Sequence, residues 1–144
     1  RYDQRFAELV EEPRDASLIA DWRDVVWLQT ERSRTYINVT PGALIMILGS
    51  GQTWATRLAD EAGDAAIAAS MVAALEQSFV LPSSPDPQQL LFNAIRILES
   101  LWATSYISHG FVTDDYATET HKAICAYMAL YWPPFLEPVR GDSD

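Results

Sequence analysis

Residues 87–134 read PQQLLFNAIRILESLWATSYISHGFVTDDYATETHKAICAYMALYWPP, and this stretch decides the fold. Leu91, Ala94, Ile95, Leu98, Leu101, Trp102, Ser105 and Tyr106 recur at helical spacing on one broad face, which Leu90 and Ile97 widen. Asp86 followed by Pro87 supplies an N-cap and a first-turn proline, so a helix is predicted over 87–109. Gly110 is placed to end it in a left-handed cap, with Phe111 closing on Tyr106. Thr113 then caps a second helix whose first turn holds Asp114 and Asp115, both favourable to the helix dipole. The apolar arc of that helix (Tyr116, Ala117, Ala123, Ile124, Tyr127, Met128, Leu130, Tyr131, Trp132) covers over half its circumference, and Pro133 and Pro134 stop it.

About 100° of apolar arc seats a helix on one core, so an arc near twice that has two sides to bury. The hairpin is therefore expected to pack inward on its own domain and outward on a second copy, as a four-helix bundle about a twofold axis. The residues expected at that interface are Leu90, Ala94, Leu101, Tyr116, Ala123, Tyr127, Leu130 and Tyr131. A hairpin wrapped on both sides within a monomer is the other arrangement that would satisfy the pattern.

Period-3.6 patterning dominates the rest of the chain and sustained alternation is almost absent, so the reading is all-α, an antiparallel bundle of about six helices. Residues 2–12 are read as a short acidic helix with Phe6, Leu9 and Val10 on its apolar side, stopped by Pro13. Asp15 is expected to cap a helix to about Ile37, with Leu18, Trp22, Val25, Val26, Gln29, Ser33 and Tyr36 in one arc and Trp27 on the far side. Thr40 and Pro41 open a helix through Ala43 to Asp60, kinked or interrupted at Gly49 and Gly51. Gly63 is read as its stop and Asp64 as the cap of a further helix to about Phe79, rich in alanine. Pro82, Pro85 and Pro87 make an extended loop before the hairpin. The resulting division is 1–12 as the end of a connecting helix, 13–134 as the helical body, and 135–144 as a loose tail.

The 144 residues carry twenty Asp plus Glu against ten Lys plus Arg, a formal charge of −10. That balance argues against nucleic-acid binding by this chain, because phosphate affinity comes from clustered basic side chains that displace counterions. Cys125, the single cysteine, makes no internal disulfide, which favours a reducing, cytoplasmic setting. The longest apolar stretch, Ala65 to Leu75 apart from Ser70, is far short of the ~20 residues of a membrane span. The sequence opens at Arg1 with no initiator Met and no secretory pattern, and so reads as a fragment or a processed chain.

The closing segment, Tyr106-Ile107-Ser108-His109-Gly110-Phe111-Val112-Thr113-Asp114-Asp115 and then Ala126-Tyr127-Met128-Ala129-Leu130-Tyr131-Trp132-Pro133-Pro134, resembles the C-terminal ligand-binding and dimerisation domain of TetR-family transcriptional regulators. Members often end with a glycine, an apolar residue, a Thr-Asp/Glu turn and a Tyr-rich, Pro-terminated final helix. Arg1-Tyr2-Asp3-Gln4-Arg5-Phe6 is similar to the end of that family's connecting helix. The resemblance implies a cytoplasmic homodimeric repressor that senses a small apolar or aromatic effector without a cofactor. DNA would be read only through an N-terminal helix-turn-helix domain that this sequence lacks.

A pocket for such an effector needs aromatic and soft side chains with a few placed polar groups. Trp22, Gln29, Ser33 and Tyr36 offer these from one helix, and Met46, Trp54, Met71, Phe79, Phe92 and Trp102 could oppose them. Gln29 stands near the centre of its apolar arc and must find a partner in the protein or in a ligand. No catalytic group and no metal site is expected: His109 and His121 fit no zinc spacing, and Cys125 has no basic neighbour in sequence. Glu8-x-x-Glu11 with Glu61-x-x-Asp64 superficially matches the paired carboxylates of helical nucleotide pyrophosphohydrolases, but a helix end at Gly63 would split the second pair. The alternative of another class is a stand-alone acidic protein that neutralises a basic partner, an immunity protein or antitoxin, with Trp27 as an exposed anchor.

Overall fold

A computed structural model describes residues 19–40, 42 and 54–140, with only the backbone described at 54–57. The described residues form four α-helices and no strand: α1 Trp22–Val39, α2 Trp54–Glu76, α3 Pro87–His109 and α4 Asp114–Met128. The expected helix over 2–12 and the residues Met46, Gly49 and Gly51 lie outside the described residues, so the expected six helices are not all on view. The all-α class holds. Among the described residues, no helix is long and apolar enough to cross a membrane.

Helix α1 starts at Trp22, later than the expected Asp15, because Asp21 and Asp24 form a capping box. The Asp21 carboxylate accepts from the Arg23 N–H at 2.7 Å, and Asp24 Oδ2 accepts from the Asp21 N–H at 3.1 Å. Thr40 is the C-cap of α1, its N–H bonded to the Ile37 carbonyl.

The largest departure from expectation is at Gly63. Helix α2 runs through it unbroken for 23 residues. Ala62 precedes the glycine and Ala65 and Ala66 follow Asp64, and Ala is the strongest helix former, so about 1 kcal/mol of glycine cost does not break the run. Asp64 is therefore no cap. Its side chain is buried inside the bundle, where Arg96 of α3 binds it at 2.8 Å.

Helix α3 spans 87–109 as the sequence indicates, and Gly110 closes it at φ 81°. Thr113 caps α4 by accepting from the Tyr116 N–H. Helix α4 ends at Met128, and Leu130, Tyr131 and Trp132 follow in tight turns bonded back to Tyr127 and Met128.

Helices α2 with α3 and α3 with α4 make the most extensive contacts, and α1 lies against α2 and α4. The core joins Trp22, Val25, Val26, Ile67, Met71, Leu75, Leu91, Ile95, Leu98, Trp102, Ile124, Met128 and Trp132. Its lower end is closed by Trp22, whose indole N–H donates to the Pro133 carbonyl at 2.9 Å and whose ring meets Trp132 edge-on at 5.5 Å. Its upper end is closed by Asn38, which donates to the Val112 carbonyl and accepts from the Val112 N–H. Residues expected to trail loosely after 134 are fastened as far as Val139. Leu136 is buried, Phe79 and Pro138 form an isolated antiparallel bridge, and backbone bonds join Val80 to Glu137 and Val139 to Ser78.

Candidate functional site

Four groups of residues bear on function: the polar side chains of the core, the outer face of the hairpin, a buried charge cluster, and the surroundings of Cys125.

Three helices contribute to the first group. Gln29 of α1, Trp102 of α3 and Thr120 of α4 are each 1% exposed. Neither the Gln29 amide nitrogen nor its oxygen, nor Trp102 Nε1, nor Thr120 Oγ1, has a hydrogen-bond partner. Unsatisfied buried polar atoms cost roughly 1–3 kcal/mol each, so several together are unusual in a settled core. Trp27 packs on His121 and Arg34 pairs with Asp114, which places Gln29 opposite Thr120 on antiparallel α1 and α4. Asn93 bonds Tyr127 and Ser105 accepts from Thr113, which brings Trp102 to about the same level on α3.

Beside this level lies a wholly apolar cavity of about 10 Å³, lined by Val26, Met71, Leu91, Ala94, Ile95, Leu98, Ile124 and Met128. That holds about one water-sized sphere and no effector. Of the expected ligand residues only Met71 lines it, and Gln29 and Trp102 lie about one helical turn from the lining residues Val26 and Leu98. The others are dispersed. The Trp22 N–H is engaged with Pro133, Ser33 donates to the Gln29 carbonyl of its own helix, and Phe79 is at the bridged lower end. Tyr36 and Phe92 are half-buried at the edge of the core. Met46 and the Trp54 side chain lie outside the described residues. Thr120 escaped the sequence reading because Glu119, His121 and Lys122 surround it, yet its spacing to Tyr116 and Ile124 puts it on the apolar arc.

The outer face of the hairpin is poor in charge. The two formally charged side chains of α3, Arg96 and Glu99, are both tied into the cluster with Asp64 on α2. Asn93, Ile97, Ser100, Leu101, Thr104 and Ser108 follow one another along the opposite strip of α3. Tyr116, Ala123 and Tyr127, half-buried, make the adjoining strip of α4, extended by Leu130 and Tyr131, 76% and 50% exposed. Asn93 donates to the Tyr127 hydroxyl at 2.9 Å and joins the two strips. Asp114 turns to Arg34 on α1, Asp115 and Lys122 lie outside the strip, and Glu119, one turn from both Tyr116 and Ala123, borders it, paired with Lys122. Leu90 and Ala94, expected at the interface, are instead buried in the chain's own core, because their side of α3 turns toward α4.

In the charge cluster Arg96 Nη1 is 2.8 Å from Asp64 Oδ2 and 3.4 Å from Glu99 Oε2. One guanidinium facing a buried and a half-buried carboxyl is one positive charge short. Burial, followed by a hydrogen bond to Asp64 and the repulsion between the two acids, pushes Glu99 up from 4.5 to about 10. The reason for setting Glu61 and Asp64 aside as a metal pair changes accordingly: the helix does not end between them, but Asp64 is committed to Arg96. Among the described residues, no group of three His, Cys, Asp or Glu is arranged to hold a metal ion.

Cys125 is buried, and burial pushes its thiol up to about 12. Burial also lowers His121, whose ring packs on Trp27 at 5.1 Å. Trp27, expected on the open surface, is thus half-buried at the α1–α4 seam. Compared with known proteins, the chain matches no family model, no curated protein and no solved structure.

Proposed function

We propose that this chain is the ligand-sensing and dimerisation domain of a TetR-like transcriptional repressor, acting in the cytoplasm, with DNA read by a helix-turn-helix module outside this chain. The observation that carries the reading is the charge-poor outer face of the α3–α4 hairpin. In a chain with a formal charge of −10, two adjoining helical strips of small, hydroxyl and aromatic side chains are depleted of charge as the core of an interface is. Ile97, Leu101, Tyr116, Ala123 and Tyr127 suit a twofold four-helix bundle, in which the same strips meet their own copies. Unsatisfied polar groups inside the body supply the sensing half of the reading. An effector that enters there and fits one arrangement of the two subunits better than another would reset the spacing of the attached DNA readers.

Sedimentation equilibrium tests the reading. The chain should sediment at twice its 16.1 kDa, and Leu101→Glu or Tyr127→Glu should return it to a folded monomer. A monomeric unmodified chain at micromolar concentration contradicts the proposal.

A further inference from the structure

Among the described residues, three of the four with unsatisfied buried polar atoms hold the same relation to the apolar cavity. Gln29 lies three residues beyond Val26 on α1, Trp102 four beyond Leu98 on α3, and Thr120 four before Ile124 on α4. Each spacing is about one helical turn on the same face. Helix α4 runs opposite to α1 and α3, so all three steps point toward the same end of the bundle. The three residues therefore share one level, about a turn above the residues that line the cavity. Trp132, whose Nε1 is also unpartnered, sits at the other end with Trp22 and does not belong to the level.

The chemistry of the level selects its occupant. Trp102 offers a donor only, the Thr120 hydroxyl donates and accepts, and the Gln29 amide offers two donors and an acceptor. A primary carboxamide answers this set: its carbonyl oxygen accepts from Trp102 and from the Gln29 amide, one of its N–H groups reaches the Gln29 oxygen and the other the Thr120 hydroxyl oxygen. A charged ligand finds no counter-charge. The buried polar residues among those described are Gln29, Thr30, Ser33, Asp64, Ser70, Ser105 and Thr120, and the single carboxylate among them is bound to Arg96. The walls below are aliphatic, and Met71 and Met128 are unbranched side chains able to retract and widen the space.

We propose that Gln29, Trp102 and Thr120 are the polar head of a ligand site that continues into the cavity, and that the site takes an uncharged carboxamide with an apolar body. This rests on the sensor reading above and names its effector class. Ligand-free, the level is under-satisfied; the bound amide completes it.

The test uses the 144-residue chain and three probes with one apolar body: 1-naphthamide, naphthalene and 1-naphthoate, followed by calorimetry and by the thermal midpoint. 1-Naphthamide is expected to bind at least tenfold tighter than the other two. Gln29→Leu should weaken it by ten- to a hundredfold while leaving naphthalene within about twofold. Thr120→Val, which removes an orphaned hydroxyl at constant shape, should raise the ligand-free midpoint. Equal affinity for the three probes overturns amide recognition and leaves sensing intact. Binding of none overturns the sensor reading itself. A lowered midpoint in Thr120→Val shows that the hydroxyl serves the fold, and so also overturns the assignment.

Discussion

Raising the pH from 7.0 to 8.0 is expected to weaken the fold by about 1.4 kcal/mol, and Glu99→Gln is expected to abolish that loss. The Glu99 side chain is 15% exposed and shares Arg96 with Asp64, so its carboxyl keeps its proton in the folded chain, pushed up from 4.5 to about 10. In the unfolded chain it ionises near its ordinary value. A folded pKa above the unfolded one contributes stability that is complete below about 4.5 and is lost as the pH rises toward 10. Throughout that window unfolding releases one proton, which sets the slope at about 1.4 kcal/mol per pH unit. The other shifted groups act outside the chosen interval. His121, lowered by burial, contributes stability that is lost as the pH falls below 6.5, the opposite sign. Cys125, raised from 9.0 to about 12, contributes stability that is lost only above about 9. Arg34 and Arg96 stay charged throughout. Urea unfolding followed by tryptophan fluorescence at pH 7.0, 7.5 and 8.0 gives the slope, provided the m-value holds constant. A pH-independent unmodified chain, or a Glu99→Gln variant that retains the slope, refutes the proton assignment.

Asn38→Ala removes its two bonds to the buried Val112 backbone and leaves the N–H unpaired while the carbonyl keeps Arg34 Nη1 at 3.3 Å, so it should cost about 1.5 kcal/mol in urea; a loss below about 0.5 kcal/mol would mean that the α3–α4 turn is held otherwise. Gly110→Ala forces a side chain onto a backbone at φ 81° with nothing within 4 Å of the added carbon, so pure backbone strain of about 1 kcal/mol is expected, and Gly110→Asn should recover part of it. Cys125 should be inert to Ellman's reagent in the folded chain at pH 8 and react promptly in urea, because its thiol is buried and protonated; fast labelling without denaturant would argue against that burial.

The hairpin was legible in the sequence because its signals are local. Pro87, Gly110 and Thr113 act within a turn of themselves, and each does what its chemistry predicts. Asp21 and Asp24 were as legible a capping box as any, but Leu18 extended the apolar arc backward and made Asp15 look like the start. Gly63 misled because local propensity does not reveal that Asp64 has a partner 32 positions away, and that pairing, not a cap, explains the acid. The fastened segment after Pro134 has the same origin: Pro138 meets Phe79 through backbone bonds that no sequence window contains. Among the unsatisfied core groups, Gln29 stood out as a polar residue centred on an apolar arc, whereas Thr120 was masked by charged neighbours on its own helix. That these two, with Trp102, occupy one level follows only from the register of three helices.

The central claim, a twofold pair joined by the hairpin and responsive to what enters the body, is tested most directly by one nitroxide per chain. Thr118 is exposed on α4 away from the uncharged strip, and buried Cys125 does not compete for the label, so Thr118→Cys places a single spin. Pulsed electron paramagnetic resonance should then give a defined spin–spin distance between two copies, absent in the Leu101→Glu background and displaced on adding 1-naphthamide. A signal with no dipolar modulation in the unmodified background would contradict the account.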